Sequence, residues 1–274
     1  MNGIPILTYH SLHAPGKSYA ENDHVALARD LVAIHRAGFE FVAVAEVAQR
    51  LVDGDHAWFE GVPRVGISFD DGCNHDYIDF EHPGLPTLKS FRTILDEFNH
   101  RFRPAQPVCA TSFVIASPVA TAVLDRTCIA GRGQWDDRWW REAAAGGLID
   151  IGNHSWDHLH ATLPFVCHTR DLRDDFSSVD TLQDARMQIE QAETYIRRIV
   201  GAERATGLFA YPDGRCSDYL RREYFPGQTA IRAAFGTHPG RVDASSDRWY
   251  LPRYVCGGHW TSPAELAALL GTSG

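Results

Sequence analysis

Basic runs are missing from this 274-residue chain: its formal net charge is −9, and Lys or Arg never occurs more than twice in succession. Nucleic acid demands a basic footprint to neutralise phosphates, so that partner class is disfavoured. A polyanionic substrate is disfavoured on the same ground, whereas a neutral glycan fits. No uninterrupted apolar stretch is long enough for a membrane span, and none is expected. The opening Met1-Asn2-Gly3-Ile4-Pro5-Ile6-Leu7 lacks a charged segment followed by an apolar one, so no secretory signal is read and a cytoplasmic location is expected. C-x-x-C pairs are absent too. Cys73, Cys109, Cys128, Cys167, Cys216 and Cys256 lie far apart, the pattern of reduced thiols in a reducing compartment. Linkers, repeats and low-complexity stretches are also lacking, which leaves a single domain over residues 1–274. With 44% hydrophobic and 22% charged residues, such a chain can bury a core around a deep cleft without disulfides.

What is present is a repeated β-then-α rhythm. Residues 4–9 predict a buried strand; Leu27, Leu31 and Ile34 mark one helix face, stopped by Gly38. Strands are expected at 39–44, 65–69, 108–115, 148–152 and 208–211. Helices are expected at 47–51, from Leu88 through Phe91, Leu95 and Phe98, at 136–146, and along Ala185, Ile189, Ala192, Ile196 and Ile199. Ser262-Pro263-Ala264-Glu265 reads as a capping box opening a last helix. Residues 73–87, 116–135 and 160–182 are the expected long loops, with rim insertions at 116–135 and 160–182. This is an α/β chain whose natural form is a parallel sheet or barrel wrapped by helices. Such folds place the site at the C-terminal strand ends, so His10, Asp70-Asp71, His154 and Tyr211 would share one rim.

Each chemical motif is weak alone. Among 14 histidines, chance supplies about 0.7 pairs at spacing i, i+4, so His154-x-x-x-His158 proves nothing in isolation. Asp-Asp recurs at 70–71, 136–137 and 174–175. Context raises the value of the set. Adjacent carboxylates at a strand end repel unless a cation or proton lies between them. Two imidazoles one turn apart can converge on one point, and with one carboxylate they form a metal site with open positions. The spare carboxylate can then take a proton from the attacking water. Cys73 follows the acidic motif directly, a proximity read as coincidence.

Phe69-Asp70-Asp71-Gly72, His154-Ser155-Trp156-Asp157-His158 and Phe209-Ala210-Tyr211-Pro212-Asp213-Gly214 resemble, in order, three motifs of the polysaccharide deacetylase (NodB homology) family. Residues 6–12 and Leu251-Pro252-Arg253 are similar to a branch with permuted strand order that includes biofilm-polysaccharide deacetylases. The resemblance implies a distorted (β/α) barrel in one domain. It implies a hydrolase that removes N-acetyl, or N-formyl, groups from an amino sugar. By that resemblance Asp71, His154 and His158 would hold one divalent metal, zinc first, with cobalt, nickel or manganese as alternatives. Asp70 would be the general base, the Tyr211 backbone N–H an oxyanion donor, His10 the general acid, and Arg253 a support for Asp70. The expected partner is an N-acylated amino sugar in a glycan or in a lipid-linked or nucleotide-linked precursor.

The chain also departs from the family. Asp213 stands where the family has an aromatic residue, and His238 and His259 rival His10 as the acid. Trp135, Trp139, Trp140 and Trp156 could offer stacking faces for sugar rings; buried tryptophans more often belong to a core, and Trp156 is the one singled out for the cleft. Two other classes stay open: a mononuclear iron oxygenase, which uses the same ligand types, and a glycan-binding protein without catalysis.

Overall fold

Residues 3–82, 85–227 and 230–272 are described by the computed structural model; residues 83–84, inside the expected loop 73–87, lie outside that description. Strand β1 (Ile4–Tyr9) is buried along its whole length, as a parallel strand covered on both faces must be. Helix α1 (Asp23–Arg36) starts where Asn22 accepts from the His24 and Val25 N–H groups. Its Leu27, Leu31 and Ile34 are fully buried. There follow β2 (Glu40–Val42), α2 (Val44–Val52) and β3 (Arg64–Phe69).

The next stretch departs from expectation. Residues 73–87 contain a hairpin, β4 (Phe80–His82) with β5 (Leu85–Leu88), so Leu88 ends a strand instead of starting a helix. Ser90 then caps α3 (Phe91–Phe102) by accepting from the Thr93 N–H. After β6 (Ala110–Val114), the expected insertion 116–135 begins with a helix, α4 (Pro118–Cys128). Ser117 caps it and Pro118 fills its first turn, local signals that outweigh a weak apolar pattern of Ala and Thr. Helix α5 (Trp140–Gly146) and β7 (Ile149–Asn153) precede the loop-rich segment 160–182. The amphipathic helix is α6 (Leu182–Ala185) continuing through one π turn, Arg186–Glu190, into α7 (Gln191–Val200). Strands β8 (Leu208–Ala210), β9 (Ala233–Phe235), β10 (Arg241–Val242) and β11 (Tyr254–Val255) lead to α8 (Pro263–Leu270).

The main sheet runs β1-β3-β6-β7-β8-β9, parallel throughout, with β2 beside β3. Its two edges meet through one short segment. Leu251 bridges Phe235 of β9, with hydrogen bonds Leu251 N–H to Ala234 O and Gly236 N–H to Leu251 O, both 2.8 Å. Three residues later β11 pairs with β1 at Leu7↔Tyr254. The sheet therefore curls into a distorted (β/α) barrel. Ile6, Phe113, Leu208, Phe235 and Leu251 pack in one cluster with Val44 and Val47 of α2. A second cluster lies between the sheet and the helices, with Leu27, Phe91, Leu95, Ile149 and Ile196. No helix among the described residues is long and apolar enough to cross a membrane.

Asp30 of α1 ties three chain segments together. Its carboxylate accepts from Tyr9 OH (2.9 Å), Tyr19 OH (2.5 Å) and Trp260 Nε1 (3.1 Å), fully buried. Burial lifts its carboxyl to about 6 against the downward pull of those donors. A folded value above the unfolded one means that this group's stabilisation is complete below about pH 4 and is lost as pH rises through about 6. Asp30→Ala should destabilise by about 3 kcal/mol, since three buried donors lose their acceptor. In urea unfolding the gap between wild type and variant should be wider at pH 4.5 than at pH 7.5; an equal gap would refute the ionisation argument.

Candidate active site

The C-terminal ends of β1, β3 and β7 open into a cleft of about 520 Å³ whose lining includes His10, Asp70, Asp71, His154 and His158. Its size is that of an ordinary small-ligand site. Asp71 leaves β3 at φ 73°, followed by Gly72 at φ 68°. A Cβ on Gly72 would lie 2.8 Å from Val114 Cα, so only glycine lets the acidic turn pack against β6. Just past the end of β7, Ser155 (φ 71°) and His158 (φ 63°) are also left-handed. Such backbone persists only where the surroundings impose it. Here Asn153 Oδ1 accepts from Ser155 N–H (2.9 Å) and Ser155 Oγ from His158 N–H (2.9 Å). Asn153 Nδ2 in turn donates to Ile189 O (3.1 Å), in the π turn of the long helix. Asp157, between the histidines, accepts from the backbone of Leu159 and Cys167 and from Gln188 Nε2 (3.0, 2.6 and 2.7 Å). The histidine motif is thus bolted to the segment 160–182 and to the helix behind it.

Asp71 Oδ1 lies 3.7 Å from His154 Nε2 and 3.9 Å from His158 Nε2. These gaps are too long for hydrogen bonds. They are slightly wider than the roughly 3.3 Å between ligands of a tetrahedral ion with Zn–N bonds of 2.0–2.1 Å. One ligand atom from each of the three residues falls within 4.8 Å of the others. His154 Nδ1 is 2.9 Å from Ala210 O and must donate to it, which leaves a bare Nε2 lone pair toward Asp71. Burial first, then repulsion from His154, holds His158 well below the usual imidazole range, so it is neutral. Two imidazole nitrogens and one carboxylate oxygen facing open space fit a divalent cation.

Asp70 points elsewhere. Arg253, from the segment that joins the sheet edges, grips it in a bidentate pair with Nη1 to Oδ1 at 2.7 Å and Nη2 to Oδ2 at 2.8 Å. Arg253 Nε also donates to Gly236 O at 3.0 Å, and its side chain is completely buried. Burial raises the Asp70 carboxyl, but Arg253 and then His154 reverse this and bring it to about 2. It is therefore an anion at any physiological pH.

The remaining expectations divide. His10 lines the cleft, its backbone N–H donating to Asp23 Oδ2 (2.8 Å). His259 lines the cleft as well, with Nδ1 accepting from Val255 N–H at 2.8 Å, which puts the proton of the neutral ring on Nε2. His238 does not line it; its ring stacks on Tyr250 at 4.6 Å. Tyr211, expected to supply an oxyanion donor, follows β8 directly. Its N–H donates to Phe235 O at 2.9 Å within the parallel ladder, and its hydroxyl to Trp249 O, so neither donor is free. Trp156, expected at the cleft, does not line it: its ring packs edge-on against Tyr195, while Trp135 lines the cleft with its Nε1 on Asp71 O at 3.3 Å. Trp139 and Trp140 are core. Cys73 is buried against Ser11 Oγ and does not line the cleft, whereas exposed Cys128 does. His160, Thr237 and Cys128 carry no sequence signal, since each reaches the rim from a loop or helix end. All six cysteines are free.

A family is defined by these features together. Residues 60–224 match the polysaccharide deacetylase family, and the chain belongs to it; membership implies a carbohydrate deacetylase, a hydrolase. The matched stretch contains Asp70, Asp71, His154 and His158 but not His10, Arg253 or His259. Among solved structures, IcaB from Ammonifex degensii is 17% identical over 100% of this chain and 98% of its own, with a TM-score of 0.65. The Streptococcus pyogenes deacetylase PplD in complex with acetate is 17% identical over 98% of both chains, with a TM-score of 0.63. The BpsB deacetylase domain from Bordetella bronchiseptica is 16% identical, covering 92% of this chain and 95% of that one, with a TM-score of 0.57. These likenesses establish the shared fold. No curated protein sequence gives a significant match.

Arg253→Ala would strand a buried carboxylate and should destabilise by about 3–5 kcal/mol in urea unfolding. The double variant with Asp70→Ala should be less destabilised than the two single losses added together. Strict additivity would show that the pair is not coupled.

Proposed function

We propose that the chain is a metal-dependent N-deacetylase that hydrolyses the N-acetyl, or N-formyl, amide of an amino sugar in a glycan. The observation that carries this reading is the division of labour between adjacent carboxylates. Asp71 faces two imidazoles whose lone pairs converge on it, while Asp70 is held ionised by Arg253. Family membership and the deacetylase names of the structural neighbours support it.

In this reading Asp71, His154 and His158 hold a divalent cation, zinc being the first choice for this nitrogen and oxygen set. That ion supplies Lewis acidity, polarising the amide carbonyl and lowering the pKa of water toward neutrality. Asp70 accepts the proton of the attacking water. A carboxyl held near 2 is a weak base, so its contribution is an oriented and always ionised acceptor. Arg253 fixes that orientation with two parallel hydrogen bonds. His10 donates a proton to the departing nitrogen. Asp213 stands at the rim and accepts hydrogen bonds from substrate hydroxyls where the family has an aromatic ring.

The deciding experiment couples metal content to acetate release from N-acetylated oligosaccharides, for wild type and Asp71→Ala. One bound divalent ion with amide hydrolysis, both lost in the variant, is the expected result. Wild-type protein that neither contains metal nor accepts it would sink the proposal. Asp70→Asn should keep the metal and lower kcat by about 10²–10⁴-fold. His10→Ala should lower kcat more than His259→Ala does; the reverse order would move the acid role to His259.

A further inference from the structure

A cavity of about 580 Å³ lies apart from the cleft, and the two share no lining residue. Trp156 and Tyr195 form its aromatic wall, with ring centroids 5.7 Å apart and planes at 79°. The Tyr195 hydroxyl donates to Asp137 Oδ2 at 2.5 Å, which fixes that ring. Arg198 lies over the same ring at 4.7 Å and forms no ion pair among the described residues. Arg186 is 3.6 Å from Glu190, an exposed pair that contributes little. Two guanidinium groups against one carboxylate give the lining an excess of positive charge, on a chain whose net charge is −9. This wall also supports the histidine motif. Arg186 and Glu190 bound the π turn; between them Gln188 holds Asp157 (2.7 Å) and the Ile189 carbonyl holds Asn153 Nδ2 (3.1 Å). Trp156 itself stands between His154 and His158 in the chain. A molecule seated here touches both halves of that hydrogen-bonded unit, the motif and the helix behind it.

We propose that this cavity is an effector site for a flat aromatic anion of the size of a nucleoside monophosphate, and that its occupancy tightens the histidine motif. The volume lies in the ordinary range for small ligands. Trp156 and Tyr195, nearly at right angles, offer a flat ring one stacking contact and one edge contact, both favourable. Arg186 and Arg198 can only donate, and they suit an anionic group that accepts in pairs. Both would repel a cation, and a neutral sugar would use neither charge. Coupling follows from the shared wall. A ligand that anchors Arg186 and Trp156 together restricts the π turn and the motif at once, so ligand and ordered motif favour each other. Binding here stands apart from the deacetylase reading; its consequence for catalysis rests on that reading.

Calorimetry on the full chain with adenosine 5′-monophosphate, adenosine and inorganic phosphate tests the site. The monophosphate should bind at least ~10-fold tighter than either fragment. Arg186→Ala and Arg198→Ala should remove that advantage. Arg197→Ala makes the same charge change one residue away, at a side chain that faces Glu193, and should leave it intact. Asp71→Ala should leave it too, which separates this site from phosphate held by a metal in the cleft. The Ser155 and His158 amides donate the hydrogen bonds that close the motif, and their hydrogen exchange should slow by ~5-fold at saturation. The proposal is overturned if the monophosphate does not bind, if binding survives both arginine changes, if Asp71→Ala abolishes it, or if exchange at the motif is unaltered. Tighter binding of a neutral N-acetylglucosamine tetramer at these arginines overturns it as well and makes the cavity a glycan site. Monophosphate binding as expected, without acetate release from any glycan, sinks the deacetylase and keeps the effector site.

Discussion

The structure turns on the buried pair between Asp70 and Arg253. A guanidinium with no exposed surface is tolerable only with a full set of acceptors, and here both carboxylate oxygens and the Gly236 carbonyl provide it. The two partners come from opposite sides of the barrel seam. Asp70 ends β3, next to β1, while Arg253 lies on the segment that links β9 to β1. Closing the barrel and setting the ionisation state of the carboxylate are therefore one event. A chain that left the seam open would also leave an uncompensated charge beside the candidate metal ligands.

The histidine side of the cleft is held differently, by backbone strain that the surroundings impose. Left-handed residues at Asp71, Ser155 and His158 turn two short loops sharply. Side-chain hydrogen bonds from Asn153, Ser155 and Asp157 supply the restraint, and Asn153 and Asp157 reach the chain behind through Ile189, Cys167 and Gln188. A π turn in the long helix presents Ile189 O to Asn153, which gives an otherwise unfavourable helical irregularity a structural role. Rigid placement of imidazoles in this manner suits a site that must hold its geometry while substrate exchanges.

Local signals carried most of the framework. The run at 4–9 became β1 and the Leu27, Leu31, Ile34 face became α1, because apolar periodicity and capping residues act over a few residues. Ser262 does cap the last helix by accepting from Glu265 N–H. Where the reading failed, competing local chemistry decided: Ser117 and Pro118 start a helix in a stretch whose pattern looked like loop, and Leu88 closes a hairpin. Strands of two or three residues, such as β9, β10 and β11, left no periodicity to detect.

What the amino-acid sequence determined by itself was the class of fold and the identity of the residues at the strand ends: Asp70, Asp71, His154 and His158. Motif and strand are contiguous there, so the chemistry travels with the local structure. Only the tertiary structure decided how those residues are used. It gave Asp70 to Arg253 across 183 positions of chain, engaged the Tyr211 N–H in the sheet, and packed Trp156 against Tyr195 while Trp135 faced the cleft. Each of these depends on contacts between segments remote in sequence, where direction and distance are set by sheet register and barrel closure.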